Sequence, residues 1–125
     1  MTILTEGRHA GGFITWEAFR DYCREVITIA TGGANPVLEP GTVLGKITAS
    51  GKYAAHDPAA LDGTETAIAV LWGKADATAA DVDAVVLLRG PAIVNGNDLV
   101  FTGALTAPEI TAAHTALAAV GILTR

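Results

Sequence analysis

Serine and cysteine each occur once in this chain, at Ser50 and Cys23. A single thiol allows no intrachain disulfide and no cysteine-based zinc site, and it suits a reducing compartment. Nucleophilic catalysis needs a hydroxyl or thiol held beside a base. Ser50 sits in a Ser-Gly turn, and Cys23 lies in a charged stretch with no neighbouring His. Charge is also scarce: 17% of residues are charged, and the net charge is −5. The eight basic residues form no stripe, which excludes the phosphate-neutralising face of a nucleic-acid binder. An anionic membrane surface is excluded on the same ground. No apolar run approaches the ~20 residues needed to cross a bilayer. Residues 1–6 lack the basic and apolar regions of a signal peptide.

Aromatic residues make up only 6%, while half the chain is apolar, so the core must be built from Ala, Val, Leu and Ile. Fourteen glycines point to short strands and turns rather than a helical bundle. At 125 residues, one domain with a tail is the natural organisation. Low charge with a mean hydropathy of +0.41 describes a surface suited to packing against copies of itself or a partner. The alternative is a small monomer with an Ala-rich surface.

The chain is organised around residues 37–77. A Pro40-Gly41 turn leads into the apolar run Thr42 to Thr48, and Ser50-Gly51 turns it back into Lys52-Tyr53-Ala54-Ala55. Asp57-Pro58 and Asp62-Gly63 bound a surface loop. Ala67 to Trp72 has no polar residue and reads as a strand buried on both faces, and Ala84 to Pro91 reads as the next buried strand, ending at Gly-Pro. Residues 73–83 read as a loop that can include a helical turn. Asn95-Gly96 signals a tight turn, with both residues tolerant of positive φ. Glu25 to Ala30 is β-branched and predicts another strand. A helix is predicted from Thr106 to Gly121: Thr106 caps it, Glu109 completes a capping box, Pro108 falls in the first turn, and Gly121 ends it. Ile122 to Thr124 continues as an extended tail able to pair with a sheet. The expected fold is mostly β, with about six to eight short strands and one C-terminal helix.

Residues 1–24 form an N-terminal arm, followed by a β-rich domain over residues 25–125. The arm holds three glycines between Gly7 and Gly12 and should be flexible alone. It also carries Phe13, Trp16, Phe19 and Tyr22, too many large side chains for a spacer. Two readings stand together: these residues order on a partner, or they cover an open edge of the domain's own core.

Sites for chemistry are wanting. His9, His56 and His114 are widely spaced, and His56-Asp57 is the one local pair of candidate metal ligands. Asp57 and Asp62, and Asp76, Asp81 and Asp83, fall in polar loops rather than paired for acid–base work. Gly32-Gly33 leads into Asn-Pro instead of a phosphate-binding helix. The expectation is a non-catalytic protein with no cofactor and no metal.

The order of pieces from Val37 onward is itself informative. Leu38-Glu39-Pro40-Gly41-Thr42-Val43-Leu44-Gly45-Lys46 precedes the Gly51-Lys52-Tyr53 turn, an Asp, a Gly63-Thr64 loop, Ala69-Val70-Leu71, the last helix and Gly121-Ile122-Leu123-Thr124. This series resembles the phage head decoration proteins of the lambda type. The resemblance implies a compact β-clip type of fold. It implies a structural virion protein that binds the outside of an expanded phage capsid as homotrimers at three-fold positions and stabilises the head. The implied partner is the major capsid protein, and the implied location is the capsid exterior after synthesis in the host cytoplasm. In such proteins an N-terminal arm reaches onto the coat, which makes Ile3, Leu4, Phe13, Ile14 and Trp16 the expected capsid-binding residues. The chain departs from the family pattern N-terminal to Val37. A second reading is a small lipoyl-like β-barrel module presenting a modified Lys at a hairpin tip. Lys52 is placed for that, without the flanking Asp or Met expected of a modification site.

Overall fold

The computed structural model describes residues 4–33 and 36–125. In order, the elements are β1 Ile14–Glu17, α1 Arg20–Cys23, β2 Arg24–Ile29, β3 Val37–Leu38, β4 Val43–Lys46, β5 Tyr53–Ala55 and β6 Ala69–Leu71. They continue with β7 Ala75–Asp76, β8 Val82–Leu87, β9 Ala92–Val94, α2 Ala107–Ala119 and β10 Ile122–Thr124. The protein is mostly β with one long C-terminal helix. It has ten strands among the described residues, more than the sequence predicts, because β3 and β7 are two-residue elements too short to leave a pattern.

Five strands close a barrel in the order β2-β5-β4-β6-β8. Its longest seam is the antiparallel pair β2 and β8, in register from Arg24↔Leu87 to Ile29↔Val82. The β4–β5 hairpin turns at Ser50-Gly51, and a single parallel step, Ile29↔Tyr53, closes the ring. Beside the barrel lies a three-stranded sheet, β1-β9-β10. There β1 runs antiparallel to β9, and β10 runs parallel to it. β3 pairs with β7, so the stretch predicted as a loop or helical turn contains a strand instead.

Alternate residues of the barrel strands feed two different cores. Leu44, Ala69, Leu71 and Val86 point one way, among Ile29, Leu38, Tyr53, Ala75 and Ala84. Val43, Val70 and Leu87 point the other way, toward Phe13, Cys23, Val94, Ala113, Leu117 and Ile122. This is why those runs carry no polar alternation: both faces of each strand are covered. The second core is sealed by α2, whose Ala113 and Leu117 are buried. Thr106 caps α2 by accepting from the Glu109 N–H at 3.4 Å. Gly121 terminates it at φ 88°, a left-handed conformation that lets the chain reverse directly into β10.

Two further expectations change. Asn95-Gly96 makes no positive-φ hairpin turn: Asn95 has φ −81°, and its side chain accepts from the Asn97 N–H at 3.0 Å to start a single 3₁₀ turn. An Asn side chain that satisfies the N–H two residues on favours this course over a two-residue hairpin. Leu99 to Phe101 accordingly returns with only one isolated bridge, Thr42↔Val100.

The N-terminal segment also divides differently. Phe13 is 2% exposed, and Cys23 is fully buried beside it in the same core. β1 is paired with β9, and the Ala18 N–H donates to the Pro91 carbonyl at 3.0 Å. Residues 13–24 therefore belong to the folded body, because burying a phenylalanine is worth roughly 1.5–3 kcal/mol. Residues 4–12 lie outside the strands and helices.

Candidate functional site

The segment Leu4 to Gly12 runs over the surface, and Leu4 is 90% exposed. Its own contacts are few. Glu6 Oε1 and His9 Nε2 meet at 2.7 Å, and both side chains are solvated. Arg8 Nη1 donates to the Asp98 carbonyl at 2.9 Å, over a shallow hollow lined by Phe13 and Pro40. The Gly11 N–H donates to the Trp72 carbonyl at 2.9 Å, and the Gly12 N–H closes a turn on the His9 carbonyl. All four links are polar contacts, each worth on the order of 1 kcal/mol or less, and of these four only those of Arg8 and Gly11 reach the body.

The root of this arm is firm. Phe13 sits in the core, Ile14 is packed against it, and Glu17 forms a two-point ion pair with Arg24, both partly buried. The Arg24 guanidinium lies 5.0 Å from the Trp72 ring centre, so Trp72 is held between Arg24 and the arm. The sequence shows Trp72 as the end of a buried strand. Its role as the seat of the arm depends on a contact with Gly11 that no local pattern announces.

The expected capsid-binding residues thus take different places. Leu4 is on the exposed arm, Phe13 and Ile14 anchor the arm's root inside the body, and Trp16 is half exposed on β1. Ile3 lies outside the described residues.

The candidate chemical groups have structural surroundings. The buried His56 places Nδ1 2.9 Å from the Thr64 carbonyl, while its neighbour Asp57 accepts from the Ala59 N–H. His114 packs against Phe101 with ring centres 6.1 Å apart. Among the described residues no cluster of three or more His, Cys, Asp or Glu is placed to hold a metal. Lys52, the candidate for modification, is paired with Asp81 instead of projecting free from its hairpin. The Lys52 ammonium and the Thr31 N–H hold the Asp81 carboxyl below the ordinary Asp value. Asp62 is lowered by the Thr64 hydroxyl and N–H, and Asp76 by those of Thr78. These carboxylates tie loops together. Among the described residues, no helix is long and apolar enough to cross a membrane.

The chain belongs to the family of the bacteriophage lambda head decoration protein D, whose model matches residues 3–122. Its role is accordingly structural, on a phage capsid, and its place is in the virion. No curated protein matches the chain significantly.

Proposed function

We propose that the protein assembles as trimers on the outside of an expanded phage head, at the three-fold positions, and stabilises it without catalysis of its own. The observation that carries this reading is the arm: nine residues, Leu4 to Gly12, all exposed except the half-buried Gly11, and fixed firmly at Phe13. Such a segment can leave the body at the cost of a few surface hydrogen bonds and lie against the major capsid protein as an added strand. Ile3 and Leu4 supply its apolar contacts, and Phe13 and Ile14 hold its root. Each arm contributes a modest area, but three arms on one trimer act together, so weak contacts multiply. The lone thiol fits synthesis in a reducing host cytoplasm.

Co-sedimentation with expanded, undecorated heads tests this, comparing the full chain with a chain beginning at Phe13. Saturable binding at three copies per three-fold site, lost on truncation, is the expected result. Binding that survives truncation moves the interface onto the body. Failure of the full chain to bind heads removes the proposal.

A further inference from the structure

Among the described residues, two buried side-chain nitrogens have no hydrogen-bond partner, Trp72 Nε1 and His114 Nε2. The two differ in kind. A neutral imidazole leaves one of its ring nitrogens without a proton, whereas the indole nitrogen is always a donor. Burying a donor with no acceptor costs more than a typical intramolecular hydrogen bond contributes. At Trp72 it is the arm that buries the donor. Gly11 is packed over the indole edge so closely that a Cβ on it would stand 2.6 Å from Nε1 and 3.3 Å from each of the two ring carbons bonded to it.

Trp72 is held where it is. Its backbone N–H donates to the Val85 carbonyl at 2.9 Å, and its own carbonyl accepts from Gly11. The Arg24 guanidinium lies over the ring, 5.0 Å from its centre, and Arg24 is fixed in turn by its two-point pair with Glu17. The indole is therefore not free to turn toward an acceptor, and the arm is the part that can move. Two hydrogen bonds tie the arm to the body, from Gly11 to the Trp72 carbonyl and from Arg8 to the Asp98 carbonyl, both at 2.9 Å. Lifting Leu4 to Gly12 exchanges those two bonds for bonds to water. It also exposes the indole N–H to water, a gain that opposes the seat. A phenylalanine here would offer the arm an aromatic wall without that opposition.

We infer that Trp72 is the release element of the arm: its N–H, buried without an acceptor while Gly11 sits on it, works against the seat and keeps the arm ready to leave. The balance between seated and lifted arm is a property of the free protein. Its consequence for heads rests on the reading above, in which the arm leaves the body to lie on the capsid. Docking then draws on the lifted fraction, and Trp72 sets that fraction.

The test compares the full chain with a chain in which 3-benzothienylalanine replaces Trp72, so that sulfur stands where the N–H was and the ring keeps its size. Trp72→Phe is the genetically encoded counterpart, and where its smaller ring loosens the arm the benzothienyl chain decides. Hydrogen exchange by NMR reads the Gly11 amide and, in the parent, the Trp72 indole N–H. In the parent these two should show matched protection, well below that of the Leu71 amide in β6. In the benzothienyl chain the Gly11 amide should be protected roughly tenfold more, because the buried donor no longer opposes the seat. Gly11 protection equal to or below the parent's in the folded benzothienyl chain overturns the inference. An indole N–H that exchanges only with the core also overturns it, since something other than the arm then covers it. Co-sedimentation with undecorated heads gives the second readout: the benzothienyl chain should bind roughly tenfold more weakly. Raised Gly11 protection with unchanged head binding upholds the release element and overturns the arm's part in docking. A parent that binds no heads removes the capsid reading, while the exchange result still decides the role of Trp72.

Discussion

Gly11 lies flat against the edge of the Trp72 indole: its N–H reaches the Trp72 carbonyl at 2.9 Å, and a Cβ added to it would stand 2.6 Å from Trp72 Nε1. Its φ of +69° is a second reason for glycine. Gly11→Ala must therefore lift the arm from its seat or push Trp72 aside. The expected outcome is loss of protection of the residue 11 amide in hydrogen exchange, with a fall in global stability of only about 1 kcal/mol. A protected amide would show that the seat adapts.

A harsher outcome is expected at Gly90. Its N–H donates to the Val120 carbonyl at 2.8 Å, and a Cβ there would fall inside the Gly121 carbonyl group. The atom in the way is backbone, at the point where α2 turns into β10. Gly90→Ala should destabilise by roughly 3 kcal/mol or more, as measured by urea unfolding. A change under about 1 kcal/mol would mean that the two segments separate without cost.

Leu117 is the fully buried side chain that fastens α2 to the core. Leu117→Ala should cost roughly 2–5 kcal/mol in denaturant unfolding, through lost burial and the cavity left behind. Ala118, one residue on and exposed, should accept substitution by Lys within about 0.5 kcal/mol.

Stability should fall in acid. Asp62 accepts from the Thr64 hydroxyl at 2.6 Å and from its N–H at 3.1 Å, which places its carboxyl below the ordinary 3.8. A carboxyl lowered on folding favours the folded state above the unfolded value, and that contribution fades as pH falls through the folded one. Asp76 and Asp81 act in the same direction. The contribution of these three carboxylates should thus be constant around neutrality, and unfolding should become easier below about pH 3.8. Thr64→Val removes the hydroxyl, so the Asp62 carboxyl carbon should titrate at higher pH by NMR. An unchanged midpoint would show that the hydroxyl is not what holds it.

What could be read from the residues alone was whatever has a local cause. α2 announced itself through Thr106, Pro108, Glu109 and Gly121, because capping is decided within one turn. β6 and β8 were legible because strands covered on both faces lose polar alternation. The pairing of Ile122 to Thr124 with a sheet was also foreseeable, since Gly121 turns that segment back. The burial of Phe13 was one of two readings that the sequence left open, and that of Cys23 was not legible, because the residues that share their core, Val94, Leu99 and Ile122, come from the far end of the chain. β3 and β7 were too short for periodicity. The same limit applies to the candidate site. A glycine-rich, exposed arm is visible as composition, but its seat on Trp72 arises only when the fold brings Gly11 to the end of β6.

Val43 and Leu44, Val70 and Leu71, and Val86 and Leu87 are chain neighbours that face opposite ways, so the wall of the barrel is common to both cores. Neither core can open while the other stays closed, because the backbone that must come apart is the same. The molecule should melt in one step, with the amides of β4, β6 and β8 exchanging together at the rate of complete unfolding. A load applied anywhere on such a body is met by all of it at once.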